Sequence, residues 1–427
     1  MNFFPRFSGF MCRLLIAALF IAVLFTACSP RDTGSRPVTL NLFADPSILP
    51  DMLRPHLDRF EREHNVRVNI VLNEEAQLWS RTGLELAAPS TELDVIMGHT
   101  NFIPSQISAG FLEPLDNHLR SVPTFNYSDW SSGVMDAVSR DGVLYALPMY
   151  HNCFILYYRA DLFAKHNIKL PTTYDELATA ARTIMANEQG MYGFATRSLN
   201  AALFFSSFLA GYGGTFFNAS GVPNIDSPEG IRALETYVNL QTTYGPPGVA
   251  SYSFSELQND FMQGRLAIVM DAYHPSIRAQ DPAQSPLVHD KIGYGMVPGV
   301  VQRLAPNFTW ALIVPANSRN KELAAKLAAF IMTPEVAADI NLSAPRQVFT
   351  KAFGYPAYSG YAESRPAAEV MAVALDNSSA NIFPRNEHTP EVNALIAAAI
   401  QAALIGEKTP AQALRDANVL IRAIYGL

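Results

Sequence analysis

Cysteine is scarce in this sequence. The 427 residues contain three, Cys12, Cys28 and Cys153. The first lies inside an apolar leader and the second at its end, so no intramolecular disulfide is available. A folded body of this size must then draw its stability from its core. His151 stands two residues from Cys153, and positions i and i+2 share a strand face. A His–Cys pair is therefore geometrically possible, with a buried structural thiol as the plainer reading. Charge is also low, 16% against 49% hydrophobic. No basic run occurs, which argues against nucleic acid as a partner. Without Arg6 and Arg13 of the leader, 29 basic residues face 38 acidic ones, a balance of −9. The phosphate-cradling spacings GxxxxGK[ST] and GxGxxG are missing, as are HExxH, GxSxG and any HxxxH pair. Nothing here calls for a nucleotide, a metal or another cofactor, and no catalytic residue is assigned.

What is present begins with residues 1–27. Arg6 and Arg13 precede the apolar run Leu14–Phe25, which is shorter than the about 20 residues that cross a bilayer as a helix. Thr26, Ala27 and Cys28 follow. This is the layout of a signal peptide. Residues 28–37 are polar, with Ser, Pro and Gly, and suit a flexible tether. The cysteine at the cleavage point resembles that of a bacterial lipobox. The resemblance implies a lipid on Cys28 and an exported protein anchored to the cell membrane, facing the periplasm or the cell exterior.

From residue 38 strands alternate with helices. Val38–Phe43, Val66–Leu72 and Asp94–Gly98 read as strands, and the apolar stripe Met52, Leu53, Leu57, Phe60 reads as a helix. That alternation means βαβ units and a parallel sheet. Ligands of open α/β sheets bind beyond the carboxyl ends of the strands. The rule selects Asp45, Glu74 with Glu75, and Asn101, all polar loop-tip residues.

The stretch Asp141–Arg182 organises the rest. A turn at Asp141-Gly142 leads into a short strand ending at Pro148. An irregular patch, Met149 to Asn152, interrupts it, and a second strand follows over Phe154–Tyr158. Thr173 lies three residues before Glu176, the capping-box spacing of a helix start. Leu199–Gly211 reads as a core helix and 293–306 as a glycine- and proline-rich loop.

Several blocks, in order, resemble the family 1 extracellular solute-binding proteins, the maltose-binding-protein-like receptors of ABC importers. They are Phe60-Glu61, Val66-Arg67-Val68, Asp94-Val95, Ala109–Leu115, Asp141–Pro148, Leu156–Phe163, Leu170–Leu177, Gly264–Met270, Phe308–Pro315 and Ser318–Ile331. The resemblance implies an α/β, two-lobed periplasmic-binding-protein fold of class II type. Each lobe is a mixed sheet flanked by helices, with a ligand cleft between. Lobe one would comprise 38–147 and 308–360, and lobe two 148–307 and 361–427. The implied function is capture of a carbohydrate or polyol by hinge closure and delivery to the transmembrane subunits of a permease, as a monomer. A metal or ferric-ion receptor on the same fold, or a secreted glycosidase, are the alternatives. Glu74 and Glu75 are adjacent rather than opposed, unlike a glycosidase pair.

Sugars need aromatic platforms with amides and carboxylates around them. The expected ligand-binding residues are Asp45, Glu74, Asn101, Tyr150, Asn152, Tyr212, Tyr273, His274, Trp310 and Arg346, with Trp79, Glu75 and Phe383 as further candidates. Asn101, Asn152 and His274 stand where the resemblance implies an acid or a tryptophan in maltodextrin receptors. A smaller sugar or a polyol therefore stays open.

Overall fold

The computed structural model describes residues 37–48, 50–123, 125–127, 130, 135–199, 201–272, 279, 281–333, 335–337, 369–370, 373–374, 377–379 and 382–427. The leader, Cys28, Tyr273, His274 and Arg346 lie outside them. The described residues fall almost entirely in one compact unit, Thr39–Leu427. Among them no helix is long and apolar enough to cross a membrane.

The first part of the chain follows the expected alternation. Strands β1 (Val38–Ala44), β2 (Val66–Leu72) and β3 (Val95–His99) are separated by helices α1 (Pro50–His64) and α2 (Glu75–Ala87). In α1 the stripe Leu53, Leu57, Phe60 is wholly buried, and each such side chain contributes about 1.5–3 kcal/mol. Short helices α3 (Ile103–Ser108) and α4 (Asp116–Leu119) and the small hairpin β4 (Ser139–Arg140) with β5 (Val143–Leu144) lead to β6 (Ala146–Arg159). Helices α5 (Ala160–Lys165) and α6 (Tyr174–Asn187), strand β7 (Tyr192–Ala195), and helices α7 (Ala202–Gly211), α8 (Pro228–Tyr244) and α9 (Phe254–Met262) come next. They are followed by strands β8 (Leu266–Ala272), β9 (Ile292–Met296) and β10 (Ala305–Ile313), helix α10 (Lys321–Ile331), the short β11 (Ser378–Ser379), and helices α11 (Thr389–Leu404) and α12 (Pro410–Ile424). The capping box at Thr173 forms as expected: its hydroxyl accepts from the Glu176 amide at 3.2 Å.

Among the described residues one mixed sheet runs β2-β1-β3-β10-β6-β8-β7, with β11 on β10 and β9 on β6. Strand β10 is antiparallel to both β3 and β6. Two expectations need correcting. First, the segment around Met149–Asn152 is not a break: β6 is one continuous strand of 14 residues. Residues 146–153 pair with β10, and residues 154–159 pair with β8 and β9. Trp310 is opposite Tyr150 while Ala311 is opposite Pro148, so Met149 is the extra residue of a bulge. The bulge absorbs the proline, which cannot donate to a regular ladder. Second, the stretch 293–306 is not all loop. Its start is β9, whose glycines leave room for neighbouring side chains. A Cβ on Gly293 would lie 2.4 Å from the Tyr158 ring, and one on Gly295 would lie 2.7 Å from Leu170.

Candidate functional site

The register of the central strands builds a cleft. Residues directly opposite in an antiparallel pair share a face, and so do residues two apart on one strand. His99, Trp310 and Tyr150 are opposite one another on β3, β10 and β6. Phe308 and Asn152 follow two positions on, then Phe154 opposite Ala272 of β8. All of these line one cleft. The bulge at Met149 is what puts them on a common face, because an extra residue exchanges the two sides of a strand.

Six of the ten expected positions are brought together there: Asp45, Glu74, Asn101, Tyr150, Asn152 and Trp310. Trp79 and Glu75 join them. Tyr212 is not among the lining residues. Its ring stacks on Tyr174 with centroids 5.4 Å apart, and its hydroxyl meets Thr236 at 2.7 Å. Phe383 packs edge-on against Phe216. Tyr273, His274 and Arg346 have no described position.

The aromatic part is dense. His99 stacks on Phe308 at 4.8 Å and meets Trp310 edge-on at 5.0 Å, with Trp79 at 5.1 Å. Phe154 stacks on Phe204 at 4.3 Å. Such pairs contribute about 0.5–1.5 kcal/mol beyond their area, so the rings are held before any ligand arrives. His99 is pushed well below the usual imidazole range by burial and by the positive charges of Arg385 and Arg197. It is a neutral ring here. A second cavity adjoins the cleft through Trp79, His99, Trp310 and Asn393, between α2, α3 and the start of α11.

The polar part was only half visible in the sequence. Arg197, just past β7, lines the cleft. Its Nε donates to both Asp271 oxygens at 3.0 Å, and its Nη1 donates to Glu75 at the start of α2. The guanidinium carbon lies 5.1 Å from the Phe204 ring and 5.0 Å from that of Phe254. Burial alone would lower its pKa, but Asp271 and Glu75 more than reverse that. Asp271 is itself raised by burial, which Arg197 offsets in part. Next door, Ser255 at the start of α9 donates to Glu74 at 2.7 Å. The two adjacent glutamates thus reach separate groups on α9 and beyond β7. Asn101 donates its backbone N–H to His99 Nδ1 at 3.2 Å and accepts from Arg385 Nε at 3.0 Å. His151 does not pair with Cys153. Its Nδ1 meets Thr309 Oγ1 at 2.8 Å, while the Cys153 thiol is wholly buried and pushed up by that burial. Among the described residues no group of three or more His, Cys, Asp or Glu could hold a metal ion.

Arrangements of this kind suit a neutral ligand with many hydroxyls: rings offer faces to C–H groups, and amides and carboxylates offer hydrogen bonds. Residues 46–338 match the bacterial extracellular solute-binding protein profile. The chain is 30% identical to the mannitol-binding protein of Pseudomonas aeruginosa over 276 residues, which is 62% of each protein. It thus spans somewhat less than two thirds of that relative. Two solved structures share its fold, both covering 91% of this chain and 98% of their own. One is an ABC transporter solute-binding protein from Agrobacterium vitis with bound D-mannitol (TM-score 0.82, 24% identity), and the other is from Agrobacterium radiobacter in complex with ribitol (TM-score 0.82, 20% identity).

Proposed function

Since the chain belongs to the bacterial extracellular solute-binding protein family, we propose that it is the substrate receptor of an ABC importer and captures a neutral polyol or small sugar. One observation carries the reading. A single face of the central sheet presents Tyr150, Phe154, Phe308 and Trp310 around Asn152, with the carboxylates of Asp45 and Glu74 and the amide of Asn101 at the strand ends. Rings and neutral amides among carboxylates match a hydroxylated ligand better than a metal ion. The glutamate pair is engaged by Ser255 and Arg197 rather than opposed across a substrate as in a glycosidase.

The lobes follow the boundaries given above, 38–147 with 308–360 and 148–307 with 361–427. A crossing within β6 is supported by its exchange of β10 for β8 and β9 at Cys153–Phe154, six residues past the 147/148 boundary. Ligand contacting both sides would favour the closed state by its differential affinity. The receptor acts as a monomer, docks on the permease when closed, and is held at the membrane by lipid on Cys28.

Thermal unfolding with D-mannitol, ribitol, maltose, Fe³⁺ and Zn²⁺ tests this. A bound ligand raises the melting temperature as RT ln(1 + [L]/Kd). A rise with a polyol or sugar supports the reading, and a rise with the metals alone overturns it. Fractionation tests the anchor: Cys28→Ala should move the protein from membrane to soluble fractions.

A further inference from the structure

Among the described residues, one cation beside the cleft has no carboxylate partner. Arg385, in the segment that leads into α11, donates from Nε to Asn101 Oδ1 at 3.0 Å and from Nη2 to the Asn307 carbonyl. Among the described residues no Asp or Glu pairs with it, and burial pulls its pKa down to about 10. Arg385 is partly buried, and even a partial loss of water around a charge without a counter-ion is costly, so its placement calls for a reason.

Geometry supplies one. Arginine only donates, so the oxygen of the Asn101 side chain is committed to Arg385. The amide nitrogen of Asn101 is left for the cleft that Asn101 lines. The Asn101 backbone N–H already occupies His99 Nδ1, which puts the proton of the neutral His99 ring on Nε2. The Arg385 charge also bears on His99 and His151, and helps to keep both neutral.

We propose that Arg385 is a positioning residue for recognition: it turns the Asn101 carboxamide so that its NH₂ donates into the cleft, toward a hydroxyl or ether oxygen of the ligand. This rests on the polyol and sugar reading above. Recognition of the ligand's class is then built in from α11's side of the molecule, by a residue that does not line the cleft.

Full-length wild type, Arg385→Met and Arg385→Lys decide it in two ways. Without ligand, NMR follows the Asn101 side-chain NH₂ and the His99 ring. In Arg385→Met the Asn101 signals should move and His99 should titrate at higher pH. In Arg385→Lys, which keeps the charge but not the fork, the Asn101 signals should move while His99 stays near its wild-type value. With D-mannitol and ribitol as probes, calorimetry should show about a tenfold loss of affinity in Arg385→Met, at a nearly unchanged melting temperature. Unmoved Asn101 signals, or wild-type affinity for both probes, overturn the proposal. If neither probe binds the wild type, the assignment of these two polyols is what fails, and the ligand-free spectra still decide the role of Arg385. If Arg385→Met does not fold, Arg385→Lys carries both measurements.

Discussion

Glu75 and Arg197 meet across the cleft, although 122 residues separate them in sequence. Arg197 is bound at the same time by Asp271, and its two carboxylates differ. Asp271 is wholly buried on β8, whereas the Glu75 side chain is 23% exposed at the start of α2. Asp271 therefore seats the guanidinium, and Glu75 is the partner that can part from it.

Glu75→Gln keeps the shape and removes the charge. The pair is partly exposed, so about 1 kcal/mol is at stake, roughly a fivefold loss of affinity for whichever polyol or sugar the wild type proves to bind. Salt screens such a contact. Calorimetry across a salt series should show the wild-type affinity falling toward that of the variant as salt rises.

Arg197→Met has a different outcome. It strands the Asp271 carboxylate at 0% exposure, and breaking a buried pair on one side costs about 3–5 kcal/mol. Thermal unfolding should shift down by several degrees, and Arg197→Met with Asp271→Asn should recover most of the loss.

Trp310 is only 6% exposed and packs on His99 and Trp79. Truncation to Ala would open a cavity at about 3–5 kcal/mol, confusing binding with folding. Trp310→Phe keeps an aromatic face. The sequence holds three tryptophans, of which Trp79 and Trp310 line the cleft. The fluorescence change caused by a polyol or sugar that binds the wild type should fall by about half in Trp310→Phe.

His151 is pushed down to about 4 by burial and by the Arg385 charge, against a hydrogen bond to the Phe308 backbone. Its folded value lies below the unfolded value of about 6.5, so the unfolded chain takes up the proton first as pH falls. The stability is full above about 6.5 and is lost on the way down to 4, up to ~3 kcal/mol. His99 pulls in the same direction. Urea midpoints at pH 7 and pH 5 should differ accordingly, and His151→Gln should flatten the difference.

Much of this was legible in the sequence because loop tips after parallel strands announce themselves. Asp45, Glu74 and Asn101 follow β1, β2 and β3, and no tertiary knowledge is needed to single them out. Arg197, Phe204 and Phe254 carry no such signal. Their place depends on which wall meets α2, and that is set by long-range pairing. Strand β6 is masked in the sequence by Pro148 and the polar His151-Asn152, which break the usual apolar alternation. The proline falls at a bulge, and Asn152 faces the cleft rather than solvent. Strand β9 hides behind its glycines, which lower strand propensity and let the Tyr158 and Leu170 side chains lie close over the strand.

The strand order has a consequence for how the molecule is made. Strand β10 lies between β3 and β6, yet the ribosome delivers it long after both. Until about residue 313 has emerged, β3 and the first half of β6 keep open edges that no earlier strand among the described residues can fill. Folding dominated by such distant pairings is slow. If the chain is exported as proposed, this order keeps it threadable during translocation, and its sheet closes only once about three quarters of it has arrived on the far side.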